Sequence, residues 1–171
     1  MDVRFFYGGL ERSTLSLVEP PLAIPKSIVL PVMDDYVSLP MKVREMVMWA
    51  YDEGYDFLFK LDDDCSFSLS RFIASDFASW DYVGCETRGM TADREVAYAS
   101  GAGYCLSRKS MEVVQDMVIE GWAEDKEVGR ALLEGGITLH HDSRYYSCSC
   151  SMCIHQIGKD YIVVHEQQGK I

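Results

Sequence analysis

Positive charge is scarce in this chain: 16 Lys and Arg stand against 27 Asp and Glu, for a formal net charge of −11 over 171 residues. Such a balance argues against a surface that holds nucleic acid by neutralising phosphates, although an acidic protein has room for one local basic groove. Nucleic acid is therefore not the expected partner. Long apolar runs are missing too. No stretch approaches the roughly 18 residues a membrane span requires, so no span is expected. The opening residues, MDVRFFYGG, lack a basic n-region and a small-residue cleavage site, so they do not read as a signal peptide. Internal repeats, low-complexity tracts, linkers and a Gly-x-x-x-x-Gly-Lys-Ser/Thr phosphate loop are also absent. The expectation is a soluble, cytoplasmic chain forming one domain over 1–171. A second full domain would leave each half with a marginal core.

Six cysteines occur, at 65, 85, 105, 148, 150 and 153. Most sit in apolar or strand-like surroundings, which fits reduced core thiols better than a disulfide framework.

Apolar periodicity alternates along the chain between two and 3.6. Val3 to Tyr7, stopped by Gly8-Gly9, and Ser27 to Val32 read as strands. Pro40 suits a first helical turn; Val43, Met46, Val47 and Ala50 then recur at helical spacing until Gly54. Asp56 to Leu61 is a buried strand running straight into Asp62-Asp63-Asp64, so the acids fall at a strand's carboxyl end, where open α/β sheets place ligands. Ser68 or Ser70 offers a cap for a short helix through Phe72, Ile73 and Phe77, and Tyr82 to Cys85 reads as a strand. Val96 to Leu106, interrupted by Gly101 and Gly103, leads into a helix from about Ser107 with Met111, Val114, Val118 and Ile119 on one face and Gly121 as its stop. A helix from about Asp125 to Glu134 ends at Gly135-Gly136; Ile137 to His140 and Tyr161 to His165 are late strands. This order predicts an α/β sheet covered by helices.

Three consecutive aspartates repel one another unless water, protonation or a cation relieves them. Oxygen ligands suit Mg²⁺ or Mn²⁺, ions usually held by one or two carboxylates plus the phosphates of a substrate. The competing reading is a solvated acidic turn.

The neighbouring residues carry a resemblance. Lys60-Leu61-Asp62-Asp63-Asp64-Cys65-Ser66-Phe67 resembles the Lys-x-Asp-Asp-Asp-x-x-Phe form of the DxD motif in the β-1,3-galactosyltransferase and Fringe family of glycosyltransferases. Further blocks follow that family's order. Asp34 to Lys42 is similar to its Asp-x-Tyr-x-Asn-Leu-Thr-x-Lys segment, with Ser38 and Pro40 as departures; Gly101-Ala102-Gly103-Tyr104-Cys105-Leu106-Ser107 is similar to Gly-x-Gly-Tyr-x-x-Ser, Glu124 to Gly129 to Glu-Asp-x-x-x-Gly, and Val163-Val164-His165 to a late apolar strand ending in histidine. The blocks span about residues 34 to 165. The 171 residues are fewer than in typical members and are expected to form a domain without their transmembrane stem, so the acceptor does not carry over.

The resemblance implies a GT-A-like sandwich: a central mixed, mainly parallel sheet with helices on both faces. It implies metal-dependent, inverting transfer of a sugar from a nucleoside diphosphate sugar, UDP-linked by expectation, to the hydroxyl of a glycan, glycoprotein or other acceptor, with Mn²⁺ or Mg²⁺. Asp64 would be the leading metal ligand, with Asp62 at the metal or the donor ribose, Asp63 in support, and His165 a second ligand that favours manganese. Asp125 would be the base.

Each role has a plainer competitor. A lone histidine after a strand is often structural. An acid in a helix's first turn interacts favourably with the macrodipole. Gly101 and Gly103 point to a bulge or a close approach to ligand, or to packing alone. Asp34 and Lys42 would support the nucleotide side, or Lys42 is simply solvated. Two rival functions remain: a metal-dependent phosphotransferase or nuclease on the same acids, and a non-catalytic module stabilised by zinc at Cys148, Cys150, Cys153 and His155. The latter spacing is tighter than usual zinc sites and has no second half.

Overall fold

The computed structural model describes residues 2–10, 26–91, 94–146 and 160–165, and within these the side chains of Tyr146 and His165 are left aside. In chain order the elements are β1 (Phe5–Leu10), β2 (Ser27–Met33), α1 (Leu39–Asp52), β3 (Phe57–Leu61), β4 (Cys65–Phe67), α2 (Leu69–Ile73), β5 (Tyr82–Met90), β6 (Glu95–Ser107), α3 (Arg108–Gln115), α4 (Glu124–Glu134), β7 (His140–His141), β8 (Tyr145–Tyr146) and β9 (Val163–His165). No helix among the described residues is long and apolar enough to cross a membrane.

The fold is α/β with mixed sheets, and they are small. Among the described residues three ladders form: β1-β2, β3-β6-β5-β7 and β4-β9-β8. Parallel pairs (β1 with β2, β5 with β7, β8 with β9) are matched by antiparallel ones (β3 with β6, β5 with β6, β4 with β9). The sheets are mixed as expected, but among the described residues parallel and antiparallel pairs are equal in number and no one central, mainly parallel sheet forms. The reason is connection length. β5 and β6 are joined by a tight turn, closed by the Thr91 amide donating to the Arg94 carbonyl at 2.8 Å, and a turn that short permits only antiparallel pairing.

The four-stranded ladder separates two apolar clusters. On one side Val43, Met46 and Val47 of α1, Met111 and Val114 of α3, and Val128 and Leu132 of α4 pack against Tyr82, Tyr104 and Leu106. On the other, Val83 and Cys105 meet Phe72 of α2, Tyr145 and Val163. Helices thus dominate one face, while the β4-β9-β8 ladder and the five-residue α2 cover the other.

Several boundaries move from their expected places for identifiable reasons. β1 runs through Gly8-Gly9, because Gly8 lies against the backbone of β2, where an added Cβ would fall 2.5 Å from the Met33 carbonyl carbon. α1 stops as expected before Gly54, which takes the left-handed φ of +82°. α3 is shorter than its periodicity suggests: Ser107 caps its start by accepting from the Ser110 amide, but the helix ends at Gln115 and leaves Val118 69% exposed.

The irregularity that matters for function lies in β6. Gly84 faces Tyr104, yet Glu86 faces Ala99, so β5 advances two residues while β6 advances five. Residues 100–103 therefore bulge away from β5, and a bulge leaves backbone groups without their usual partners.

Candidate functional site

The site begins with an unusual residue for an apolar strand. Lys60 lies within Phe57-Leu58-Phe59-Lys60-Leu61, opposite Tyr104 of β6, and is only 5% exposed. A buried ammonium must be paired to be tolerated. Its Nζ lies 2.6 Å from Asp62 Oδ1 and 2.9 Å from Glu124 Oε1, and it donates to the Gly101 carbonyl. The Tyr104 ring centroid stands 5.6 Å away, adding a cation–π contact. One side chain thus joins the acidic turn after β3, the β6 bulge and the first turn of α4.

Burial lowers the Lys60 pKa, but the Glu124 and Asp62 carboxylates outweigh it and hold the ammonium above its ordinary range. Lys60 stays charged. Glu124, 4% exposed, is raised by burial and lowered in part by Lys60, with a net shift upward. Its second oxygen, Oε2, accepts from the Tyr104 hydroxyl at 3.1 Å.

Asp125, next along α4, is fixed by the bulge. The Gly101 amide donates to Asp125 Oδ2 at 3.1 Å, while Oδ1 accepts from the Lys126 amide at 2.8 Å. The two backbone groups of Gly101, turned out of the ladder, are therefore satisfied by Asp125 and Lys60. A Cβ at Gly101 would lie 3.4 Å from Asp125 Oδ2 and from Glu124 Oε1, inside the carboxylate pair. Gly103 answers a packing need instead, since a Cβ there would meet Val163 Cγ2 at 3.1 Å.

Asp62-Asp63-Asp64 forms a turn, closed by the Cys65 amide donating to the Asp62 carbonyl at 3.3 Å. Asp62 folds back to Lys60, Asp63 is exposed, and Asp64 Oδ1 lies 3.6 Å from Cys65 Sγ. Burial, reinforced by Asp62 and Asp64, pushes the Cys65 thiol up to about 12, so it remains protonated near neutrality. The β4-β9 ladder pairs His165 with Cys65, bringing its backbone beside the turn. Among the described residues no group of three or more His, Cys, Asp or Glu side chains is set to hold a metal. Asp62 and Asp64 nevertheless provide oxygen donors suited to a hard cation whose remaining ligands come from a diphosphate and water.

Asp34 and Lys42 pair with each other at 2.6 Å across the β2-α1 turn and stay outside the Lys60 network. Tyr36, between them in sequence, reaches the other side: its ring lies 5.5 Å from that of Trp122, just before α4. Both rings are largely exposed, at 67% and 58%. Among the described residues, Cys65, Cys85 and Cys105 form no disulfide with one another. Cys148, Cys150, Cys153 and His155 lie outside the described residues.

Glu124 and the central place of Lys60 were not evident from spacing alone. The available signal was a lysine in the middle of an apolar strand, which demands buried counter-charges somewhere in the fold. Compared with protein-family models and with curated proteins, the chain has no match.

Proposed function

We propose that the chain is a metal-dependent glycosyltransferase that moves a sugar from a nucleoside diphosphate sugar, UDP-linked by preference, to an acceptor hydroxyl with inversion. The observation that supports this best is the convergence of three separated blocks. Asp62, Gly101 and Glu124 meet at Lys60, and Gly101 in turn holds Asp125. Acids suited to a cation-bound diphosphate and a carboxylate suited to a base are thereby tied into one network.

In this reading Asp64, with Asp62 and His165 as further candidates, would hold Mn²⁺ or Mg²⁺, and the ion would supply charge neutralisation for a diphosphate leaving group. Asp62, with Oδ1 on Lys60, would have its second oxygen to offer to the donor or the cation. Asp125, with Oδ1 and Oδ2 each accepting one backbone bond, retains lone pairs for the acceptor hydroxyl. The acceptor oxygen bonds the anomeric carbon, its proton passes to Asp125, and the carbon–oxygen bond to the diphosphate breaks with its electron pair on the leaving group. Asp34, Lys42 and the exposed Tyr36 belong to the nucleotide side.

The test is a panel of nucleotide sugars with Mn²⁺, read by donor consumption and thermal stability. One donor at about 100 times its Kd should raise the unfolding midpoint by roughly 5–10 °C. Chelation and Asp64→Ala should each abolish that shift. Asp125→Asn should keep it but lower kcat by about 10² to 10⁴. A panel in which no donor is consumed and none stabilises the protein would sink the proposal.

A further inference from the structure

We infer that Lys60 is the positioning residue of the site: its buried ammonium, gripping Asp62, the Gly101 carbonyl and Glu124 at once, sets the separation between the acidic turn after β3 and Asp125 on α4. The purpose of that separation rests on the transferase reading, whereas the tether itself does not.

Each tethered piece is weakly held by its own backbone. The triplet is a turn closed by one bond, with one more from the Asp62 amide to the Ala102 carbonyl at 3.3 Å. α4 begins at Ala123, which has no side chain able to cap it, so Glu124 and Asp125 are anchored by what they touch across the site. Glu124 is held by Lys60 and Tyr104; Asp125 is held through Gly101. β3, by contrast, is bonded along its whole length to β6, from Phe57 opposite Ser107 to Leu61 opposite Gly103. Lys60 therefore projects from a strand paired along its length with β6 into the acidic turn, the β6 bulge and the first turn of α4. Its charge also screens two carboxylates, Asp62 and Glu124, that would otherwise face each other across the same small space.

The consequence is a division of labour between two variants. Glu124→Gln keeps one carbonyl oxygen, which can still accept from Lys60, turns its amide NH2 to donate to the Tyr104 hydroxyl oxygen, and leaves the Asp62 contact intact. Lys60→Met keeps the length of the chain but releases Asp62, Gly101 and Glu124 together. In an active enzyme, Glu124→Gln should lower kcat about tenfold with the donor KM unchanged, because only the base side loosens. Lys60→Met should lower kcat about a hundredfold and raise the donor KM as well. A merely structural lysine would lower the unfolding midpoint of Lys60→Met while leaving kcat and KM as they were in the folded protein.

Amide hydrogen exchange on the full chain makes the test independent of turnover. In Lys60→Met the Asp62 and Gly101 amides should exchange about tenfold faster or more, while Val47 and Val114 in the helical core stay unchanged. In Glu124→Gln only Gly101 should speed up. Should Lys60→Met fail to fold, the double variant Lys60→Met with Glu124→Gln removes one buried charge of each sign and is read in the same way. Uniform exchange across all four positions overturns the tether, even in an active enzyme. Localised loss of protection, in a protein that consumes no nucleotide sugar, upholds the tether and overturns the transferase reading instead.

Discussion

Asp142, in the turn before β8, is clasped by its near neighbour: Arg144 Nε lies 2.9 Å from Oδ1 and Nη2 2.6 Å from Oδ2. Burial raises the Asp142 pKa, but Arg144 outweighs it and holds the carboxyl below the usual carboxylate range. Asp81, bonded to Lys109 and Ser107, is depressed as well. A carboxyl whose folded pKa is depressed binds protons more weakly in the folded than in the unfolded state. Its contribution is present above about pH 4 and is lost as pH falls through the folded value. Urea midpoints between pH 2 and 7 should therefore drop on the acid side. Asp142→Asn should flatten that limb and bring the variant closest to wild type at the lowest pH; an unchanged limb would count against the Asp142–Arg144 pair. At this scale the acids of the site were legible, because a run of aspartates after an apolar strand is conspicuous. Their partners were not. Lys60 finds Gly101 at a sequence separation of 41, and nothing local to either residue specifies that meeting.

α4 shows how an element is placed by a missing side chain. Gly129, in the middle of that helix, faces β6 so closely that an added Cβ would fall 2.3 Å from Tyr98 Cβ and 3.0 Å from Tyr98 Cα. Glycine within a helix ordinarily costs about 0.5–1 kcal/mol relative to alanine, so Gly129→Ala would be stabilising on propensity alone. Here the contact is with backbone and with a Cβ, neither of which can swing aside, so overpacking decides the sign. Gly129→Ala should destabilise by about 1–3 kcal/mol, measured by chemical denaturation. Because α4 carries Asp125, a shift of the helix away from β6 should also lengthen the Gly101–Asp125 bond. Faster exchange of the Gly101 amide is the expected signature, and a more stable variant would contradict this packing. Element type was readable from periodicity for α1, α4 and β3. The ends of α3 and β1 were not, since solvent and the neighbouring strand, rather than the apolar stripe, determine where each stops.

Across the whole molecule, the two apolar clusters share the same strands. Tyr82 and Val83 are consecutive in β5 yet point into opposite clusters, as do Tyr104 and Cys105 in β6. Damage to either cluster therefore reaches the other through a common backbone. Leu132→Ala in the helical layer should cost about 2–5 kcal/mol and Phe72→Ala on the opposite side about 3–5 kcal/mol. Each should move a single unfolding transition seen identically by fluorescence and circular dichroism. Two separable transitions would mean that the layers fold independently.

The amino-acid order by itself determined where strands and helices alternate and that three acids follow a buried strand, because those properties depend on neighbours within a turn or two. Tertiary structure decided the rest. The short β5-β6 connection imposed antiparallel pairing, and the register slip at residues 100–103 exposed the Gly101 amide and carbonyl. Lys60, driven into the interior by its apolar neighbours, collected one counter-charge from the adjacent turn, Asp62, and one from a distant helix, Glu124, with the Gly101 carbonyl as a neutral third partner. Burial makes such pairing obligatory, and only the folded chain determines which carboxylates are near enough to provide it.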